Sequence, residues 1–445
     1  MNKKTFHIVS LGCAKNTVDS DSMAQLLTKS GYKNVSSPNQ AGIIIVNTCG
    51  FIAIAKEESH NVLTELAAKK KPGQVLIAAG CMTQRYGADI AQDVPGIDGI
   101  SGTRRWMDIV NVVEKLQGNE FNQPYYHLPE VPNVGTDEQG VLRAAVQGAS
   151  AYLKIADGCR RPCAFCAIPL IKGTPVSRPV EVILAEARIL QARGVHEINL
   201  IAQDTTDYGY DLGMINGLVY MLKKLTAAVP YIDWIRVMYA YPGFITDELI
   251  EVMATNKQMV HYLDIPLQHA HPAVLRRMKR PTNIEWVYKT VEKMRKAMPD
   301  LALRTTFIVG YPGETNTQFQ TLLDFVKEMH FDKVGAFKFS FEPGTASEPL
   351  GDTVPDEVKE ERFKRLMETQ QKISLARNKT FIGRKLDVLL EGCGQGVSIG
   401  RSYRDAPEID GLVLVKGEIP TGQIIPVHIT EAMVYDLSGE MVKKK

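Results

Sequence analysis

Residues 151–166 read Ala151-Tyr152-Leu153-Lys154-Ile155-Ala156-Asp157-Gly158-Cys159-Arg160-Arg161-Pro162-Cys163-Ala164-Phe165-Cys166, a strand-like run that delivers three closely spaced cysteines. Thiolates are soft ligands suited to iron–sulfur clusters or zinc. A structural zinc site closes with a fourth ligand, usually on a short second spacing. No Cys or His lies close on either side, and the next His downstream is His196. Three ligands therefore suit a four-iron cluster with one iron left open for a substrate. Zinc with a distant fourth ligand is the alternative.

Outward from this junction, residues 141–375 repeat a strand–helix unit. Strands are expected at Ala151–Ala156, Glu197–Ala202, Trp234–Tyr239, Tyr262–Pro266, Leu303–Val309 and Val334–Phe339, with helical patterns such as Pro179–Ala192, Asn283–Ala297 and Thr317–Met329 between them. Six such units make a partial (β/α)6 TIM-type barrel, whose chemistry belongs at the carboxyl ends of its strands. The cysteine trio follows the first strand, where that rule places a site.

Residues 1–140 also alternate buried strands with helices. His7–Gly12, Gly42–Asn47 and Val75–Gly80 read as strands of a parallel α/β sheet, and each runs into a cysteine: Cys13, Cys49 and Cys81. Ligands of open parallel sheets bind at the carboxyl ends of strands, so three distant thiols can converge there on a second cluster. Three unrelated buried cysteines are the plainer alternative. Residues 121–145, rich in Pro, Gly and Asn, read as a linker.

Residues 376–445 follow a charged helical stretch, Pro355–Arg377, and turn to short strands (Lys385–Leu390, Gly411–Leu414, Ile424–His428) of a small antiparallel β-barrel. Gly392-Cys393-Gly394-Gln395-Gly396 reads as a turn. Over Thr380–Met441 there are five Lys/Arg against nine Asp/Glu, a balance of −4. Such a barrel is a poor clamp for nucleic-acid phosphates and an acceptable dock for a basic protein.

With 445 residues, two or three domains are expected, and 44% hydrophobic content excludes wholesale disorder. Seven cysteines are too few and too odd for a disulfide framework, and no signal segment or long apolar stretch is present. A reduced, cytoplasmic protein without a membrane partner is expected.

Four runs carry a resemblance: Ser10-Leu11-Gly12-Cys13-Ala14-Lys15-Asn16, Gln203-Asp204-Thr205-Thr206-Asp207-Tyr208-Gly209, Ile265-Pro266-Leu267-Gln268-His269-Ala270, and the most specific, Gly400-Arg401-Ser402-Tyr403-Arg404-Asp405-Ala406-Pro407-Glu408-Ile409-Asp410-Gly411. With the cysteines, the chain resembles the methylthiotransferase family of radical S-adenosylmethionine enzymes over essentially its whole length. Within it, the similarity is greatest to the branch that modifies an aspartate of a small-subunit ribosomal protein at the decoding centre.

The resemblance implies three units: 1–140 with an auxiliary 4Fe–4S cluster on Cys13, Cys49 and Cys81; 141–375, a radical core with a 4Fe–4S cluster on Cys159, Cys163 and Cys166; and 376–445, an OB-like TRAM barrel. It implies S-adenosylmethionine as radical source and methyl donor, and a reductant protein of the flavodoxin or ferredoxin type. Phe165, Arg178, Gln203, Gln268, Val309 and Gly310 are the expected cofactor contacts. RNA binding is possible but less favoured; methylthiolation of a tRNA adenosine beside the anticodon is the alternative activity. Ala14 departs from the branch, which usually has proline there.

Overall fold

The computed structural model describes residues 4–118, 123–130 and 140–442. Residues 121–122 and 131–139 of the expected linker lie outside them. Among the described residues no helix is long and apolar enough to cross a membrane.

The first sheet contains β1 (Thr5–Ser10), β2 (Lys33–Asn34), β3 (Ile43–Thr48), β4 (Val75–Gly80), β5 (Gly99–Gly102) and β6 (Tyr125–His127), all parallel, in the order β2-β1-β3-β4-β5-β6. Every residue of β3 is buried, as expected for a strand covered by helices on both faces. The helices Ala14–Lys29, Ala53–Ala68 and Cys81–Asp93 each begin within five residues of the ends of β1, β3 and β4.

The second sheet starts with β7 (Ala144–Gln147) antiparallel to β8 (Ser150–Lys154). A short ladder of β9 (Ala156–Asp157) with β10 (Val176–Ser177) follows. Then come β11 (Glu197–Ile201), β12 (Trp234–Val237), β13 (Met259–Asp264), β14 (Ala302–Val309) and β15 (Lys333–Lys338), parallel to one another and to β8. The six expected strands are thus present in sequential order, with β7 added at the edge. Alternation sends Ile198 and Leu200 of β11 into the apolar layer under the helices. Glu197, Asn199 and Ile201 face inward instead, and that inner face is polar at the strand starts.

The third unit is a closed barrel of β16 (Lys385–Gly394), β17 (Val397–Ser402), β18 (Val413–Lys416), β19 (Ile424–Ala432) and β20 (Leu437–Met441), ordered β16-β17-β18-β20-β19. It is not wholly antiparallel: β18 and β20 pair in parallel. The expected turn at 392–396 is also corrected. β16 continues through Gly394, with Cys393 opposite Ser398, and only Gln395 (φ 54°) and Gly396 (φ 78°) turn. Two positive φ values in a two-residue loop match the twist of the flanking strands.

The barrel plugs the amino ends of the second sheet. One apolar cluster joins Tyr152, Trp234, Tyr262 and Ala302 of the sheet to Leu389 and Ala406 of the barrel, and to Ala14 and Val18 of the first unit. Around it, Arg401 meets Glu197 at 2.6 Å, Lys333 meets Asp405 at 2.6 Å, Arg404 meets Asp332 at 3.2 Å and Tyr262 donates to Asp410 at 2.6 Å. The run 400–411 is therefore the docking surface of the barrel.

Candidate functional site

Cys13 precedes the helix that follows β1, Cys49 follows β3 directly, and Cys81 opens the helix after β4. Close-packed glycines bring the three loops together. Gly12 has φ +89°, and a Cβ there would lie 2.7 Å from Cys49 Cβ. A Cβ on Gly50 would lie 2.6 Å from Met82 Cα, and one on Gly80 (φ +102°) 2.6 Å from the Thr48 carbonyl. Only glycine fits these approaches. Asn16 ties the loops by donating to the carbonyls of Leu11 (2.9 Å) and Thr48 (3.0 Å).

The second triad sits on the loop after β9. Gly158 (φ +80°) passes so close to Thr174 that a Cβ would lie 2.1 Å from its carbonyl oxygen. Cys159 N–H donates to Gly173 O at 3.1 Å, Arg161 N–H to Cys159 Sγ at 3.4 Å, and Arg280 Nη1 to Cys163 Sγ at 3.4 Å. Arg280 also stacks 4.2 Å from the Tyr241 ring centroid.

All six cysteines line one cleft of ≈ 390 Å³, partly open to solvent, between the first unit and the carboxyl ends of the second sheet. Among the described residues no three His, Cys, Asp or Glu side chains meet at single-ion spacing; what marks the site is two all-thiol donor sets facing one space. Burial pushes Cys81 and Cys166 up to about 12 and Cys159 up to about 11, and raises Cys49. These thiols bind metal only by releasing protons.

Four cations line the cleft: Lys15, Arg161, Lys172 and Arg280. Arg161 is held by Asp204 at 2.6 Å. Lys172 joins a buried network in which Asp19 of the first unit contacts Arg143 (2.5 Å), Lys154 (2.6 Å) and Lys172 (2.9 Å). Asp157 completes it, at 2.9 Å from Lys154 and 3.4 Å from Lys172. Burial opposes charge on Asp19, yet the three cations hold its carboxyl far below the ordinary range. Burial likewise opposes charge on Lys172, and the carboxylates of Asp157 and Asp19 keep it protonated.

Of the expected cofactor contacts, Phe165, Gln203 and Gln268 line the cleft. Gln203 Nε2 donates to Asp157 at 2.9 Å, which leaves its buried Oε1 unpartnered. Gln268 takes φ +73° between hydrogen bonds to Thr306 and Ile308.

Three expected contacts are not among the residues lining this cleft. Arg178 is not at the cleft: it is buried under the sheet, paired to Glu186 at 2.6 and 2.9 Å. Val309 is fully buried in the apolar layer and is absent from the cleft lining. Gly310 is also absent; its N–H donates to Glu314, its φ is +72°, and a Cβ there would lie 2.3 Å from Lys359 Cγ. His269 and His271 each spend a ring nitrogen on a backbone N–H, at 2.9 and 3.2 Å.

Sequence reading missed Lys15, Lys172, Tyr239 and Arg280. Lys15 lay inside a quoted run, two residues from Cys13, and was within reach; the others carry no local signal.

Sequence profiles match in three blocks: the "Uncharacterized protein family UPF0004" over residues 5–102, the Radical SAM superfamily over 153–326 and the TRAM domain over 382–442. Among solved structures, the radical S-adenosylmethionine methyltransferase TsrM from Kitasatospora setae is similar at TM-score 0.56, covering 78% of this chain and 77% of that one. At 13% identity this likeness concerns the fold alone. Fold, cleft and profiles define an enzyme of the radical S-adenosylmethionine class with an α/β unit ahead of the core and a TRAM barrel behind it.

Proteins called ribosomal protein uS12 methylthiotransferase RimO are similar throughout. That of Chloroflexus aurantiacus is 48% identical, covering 98% of this chain and 99% of its own length. That of Roseiflexus sp. is 46% identical (98% and 97%), and that of Thermoanaerobacter sp. 43% (98% and 100%). The chain belongs to this RimO family of radical S-adenosylmethionine methylthiotransferases.

Proposed function

We propose that this protein inserts a methylthio group at the β-carbon of an aspartate in the small-subunit ribosomal protein uS12. The supporting observation is that two cysteine triads, from separately built units, face one cleft. Cys159, Cys163 and Cys166 of the 141–375 unit would hold one 4Fe–4S cluster, and Cys13, Cys49 and Cys81 of the 1–140 unit the other. When bound, these clusters and S-adenosylmethionine supply the one-electron chemistry that an unactivated C–H bond demands, with the sulfur and the methyl group.

The chain's own residues aim and shield. Gln203, pinned through Nε2 by Asp157, offers a fixed acceptor to a cofactor, and Gln268 and Phe165 line the same space. Arg280 sets its guanidinium 3.4 Å from the Cys163 sulfur. Phe51, Ile168, Ile171 and Phe337 give the cleft an apolar wall that limits water.

A protein substrate fits the 376–445 TRAM unit better than tRNA does. Burial of Arg401, Arg404, Asp405 and Asp410 in the docking surface leaves three Lys/Arg against seven Asp/Glu elsewhere on Thr380–Met441. A reductant protein of the flavodoxin or ferredoxin type would supply electrons.

The test is anaerobic incubation of the reconstituted protein with S-adenosylmethionine, a low-potential reductant and sulfide, offering uS12 and bulk tRNA in parallel. A mass gain of one methylthio group on uS12 is expected. A gain on tRNA alone overturns the proposal.

A further inference from the structure

We propose that Lys15 is the residue that recognises the carboxylate of the target side chain, with the Tyr239 ring as its platform. This rests on the function proposed above: in an aspartate the carboxyl carbon is bonded directly to the reacting β-carbon, so holding the carboxylate fixes the reacting atom.

Lys15 is the second residue of the helix Ala14–Lys29, half-buried, and lines the cleft. Its Nζ lies 3.2 Å from the centroid of the Tyr239 ring. Tyr239 follows β12 from the opposite wall, at φ +61°, a conformation uncommon for non-glycine residues. The contact bridges the two cysteine-bearing units.

The other cleft cations are engaged. Arg161 is paired with Asp204 and Asp207, Lys172 with Asp19 and Asp157, and Arg280 with the Pro266 carbonyl and Cys163 sulfur. Lys15 has neither a carboxylate nor a hydrogen-bond acceptor among the described residues. Asp264, whose charge bears on it, is bonded through Oδ1 to Arg304 at 3.1 Å and makes no hydrogen bond to Lys15; its Oδ2 is buried without a partner. An ammonium carries three donors, and a ring on one face leaves donors for a carboxylate on the other. The position lies in the cleft that both triads line, from which the reacting carbon must be reached.

The shared chemistry is an anionic carboxylate, which S-adenosylmethionine also possesses, so the experiment separates the two sources. Reconstituted wild-type, K15M and K15R proteins are compared for binding of uS12, of uS12 with the target Asp changed to Asn, and of S-adenosylmethionine, without reductant. Methylthiolation and iron content are measured alongside. Wild type should prefer Asp over Asn by about 10- to 100-fold, the range for a charge-assisted hydrogen bond. K15M should lose that preference, K15R should keep most of it, and S-adenosylmethionine affinity should be unaffected. Should K15M lose iron, K15Q carries the same comparison.

A K15M or K15Q protein that prefers Asp as wild type does overturns the inference. So does a wild type indifferent to Asp and Asn, or a K15M whose only defect is in S-adenosylmethionine binding. A wild type that never modifies uS12 instead refutes the proposed function.

Discussion

Replacing Asp19 by Ala removes the carboxylate that, among the described residues, ties the first unit into the buried charge network. Arg143 and Lys154 are fully buried and Lys172 nearly so, and Asp19 lies within 2.5–2.9 Å of all three. After the change, Lys154 and Lys172 share Asp157, at 2.9 and 3.4 Å. Removing one partner of a buried ion pair costs about 3–5 kcal/mol. At about 1.4 kcal/mol per tenfold, the docked arrangement should open more than 100-fold more often. A three-unit protein does not unfold in one step, so the readout is amide hydrogen exchange across β8 and the Ala14–Lys29 helix rather than a melting temperature. K154M in the D19A background removes one stranded cation, so the double variant should lose less protection than the two single losses added together. Less than a tenfold change in D19A, or simple additivity in the double variant, refutes the reasoning.

Replacing Cys159, Cys163 and Cys166 together by Ala should lower reconstituted iron from about eight to about four per chain, whereas C393A, in an exposed hairpin, should keep all of it; iron analysis decides both. Glu197 is held down at about 2, where burial opposes its charge but Arg401 and Arg236 favour it. A depressed carboxylate stabilises docking fully above its ordinary value of 4.5 and loses that contribution as pH falls toward 2. Hydrogen exchange at the barrel–sheet seam should rise over that window in wild type, and E197Q should lack the transition. A14P places proline at the first helical position, where its fixed φ suits the backbone, and should stabilise by about 0.4–1 kcal/mol with iron content unchanged. A fall in stability there would show that Ala14 is needed for the Cys13 turn.

The six strands of the second sheet and the three cysteine-ended strands of the first were legible because buried parallel strands are short, apolar and bounded by glycines. Cys159, Cys163 and Cys166 were legible because their spacing is local. The buried charges were not. Asp19 and Lys172 are 153 residues apart, and nothing in a solvated-looking Lys or Asp says that it is 1–5% exposed in a network. Arg178 failed for the same reason: a cation before a proline reads as available until Glu186 is seen beneath it. The run 400–411 was specific, but its work is attachment of the barrel, through side chains whose partners lie at residues 197, 332 and 333. Tyr239 could not be found because a left-handed backbone at a tyrosine leaves no trace in composition.

Among the described residues, the barrel stoppers the amino ends of the second sheet, and the thiol-lined cleft opens at the carboxyl ends. Whatever reaches the thiols passes that opening, and a cleft recessed between two units suits a protruding loop better than a flat protein surface.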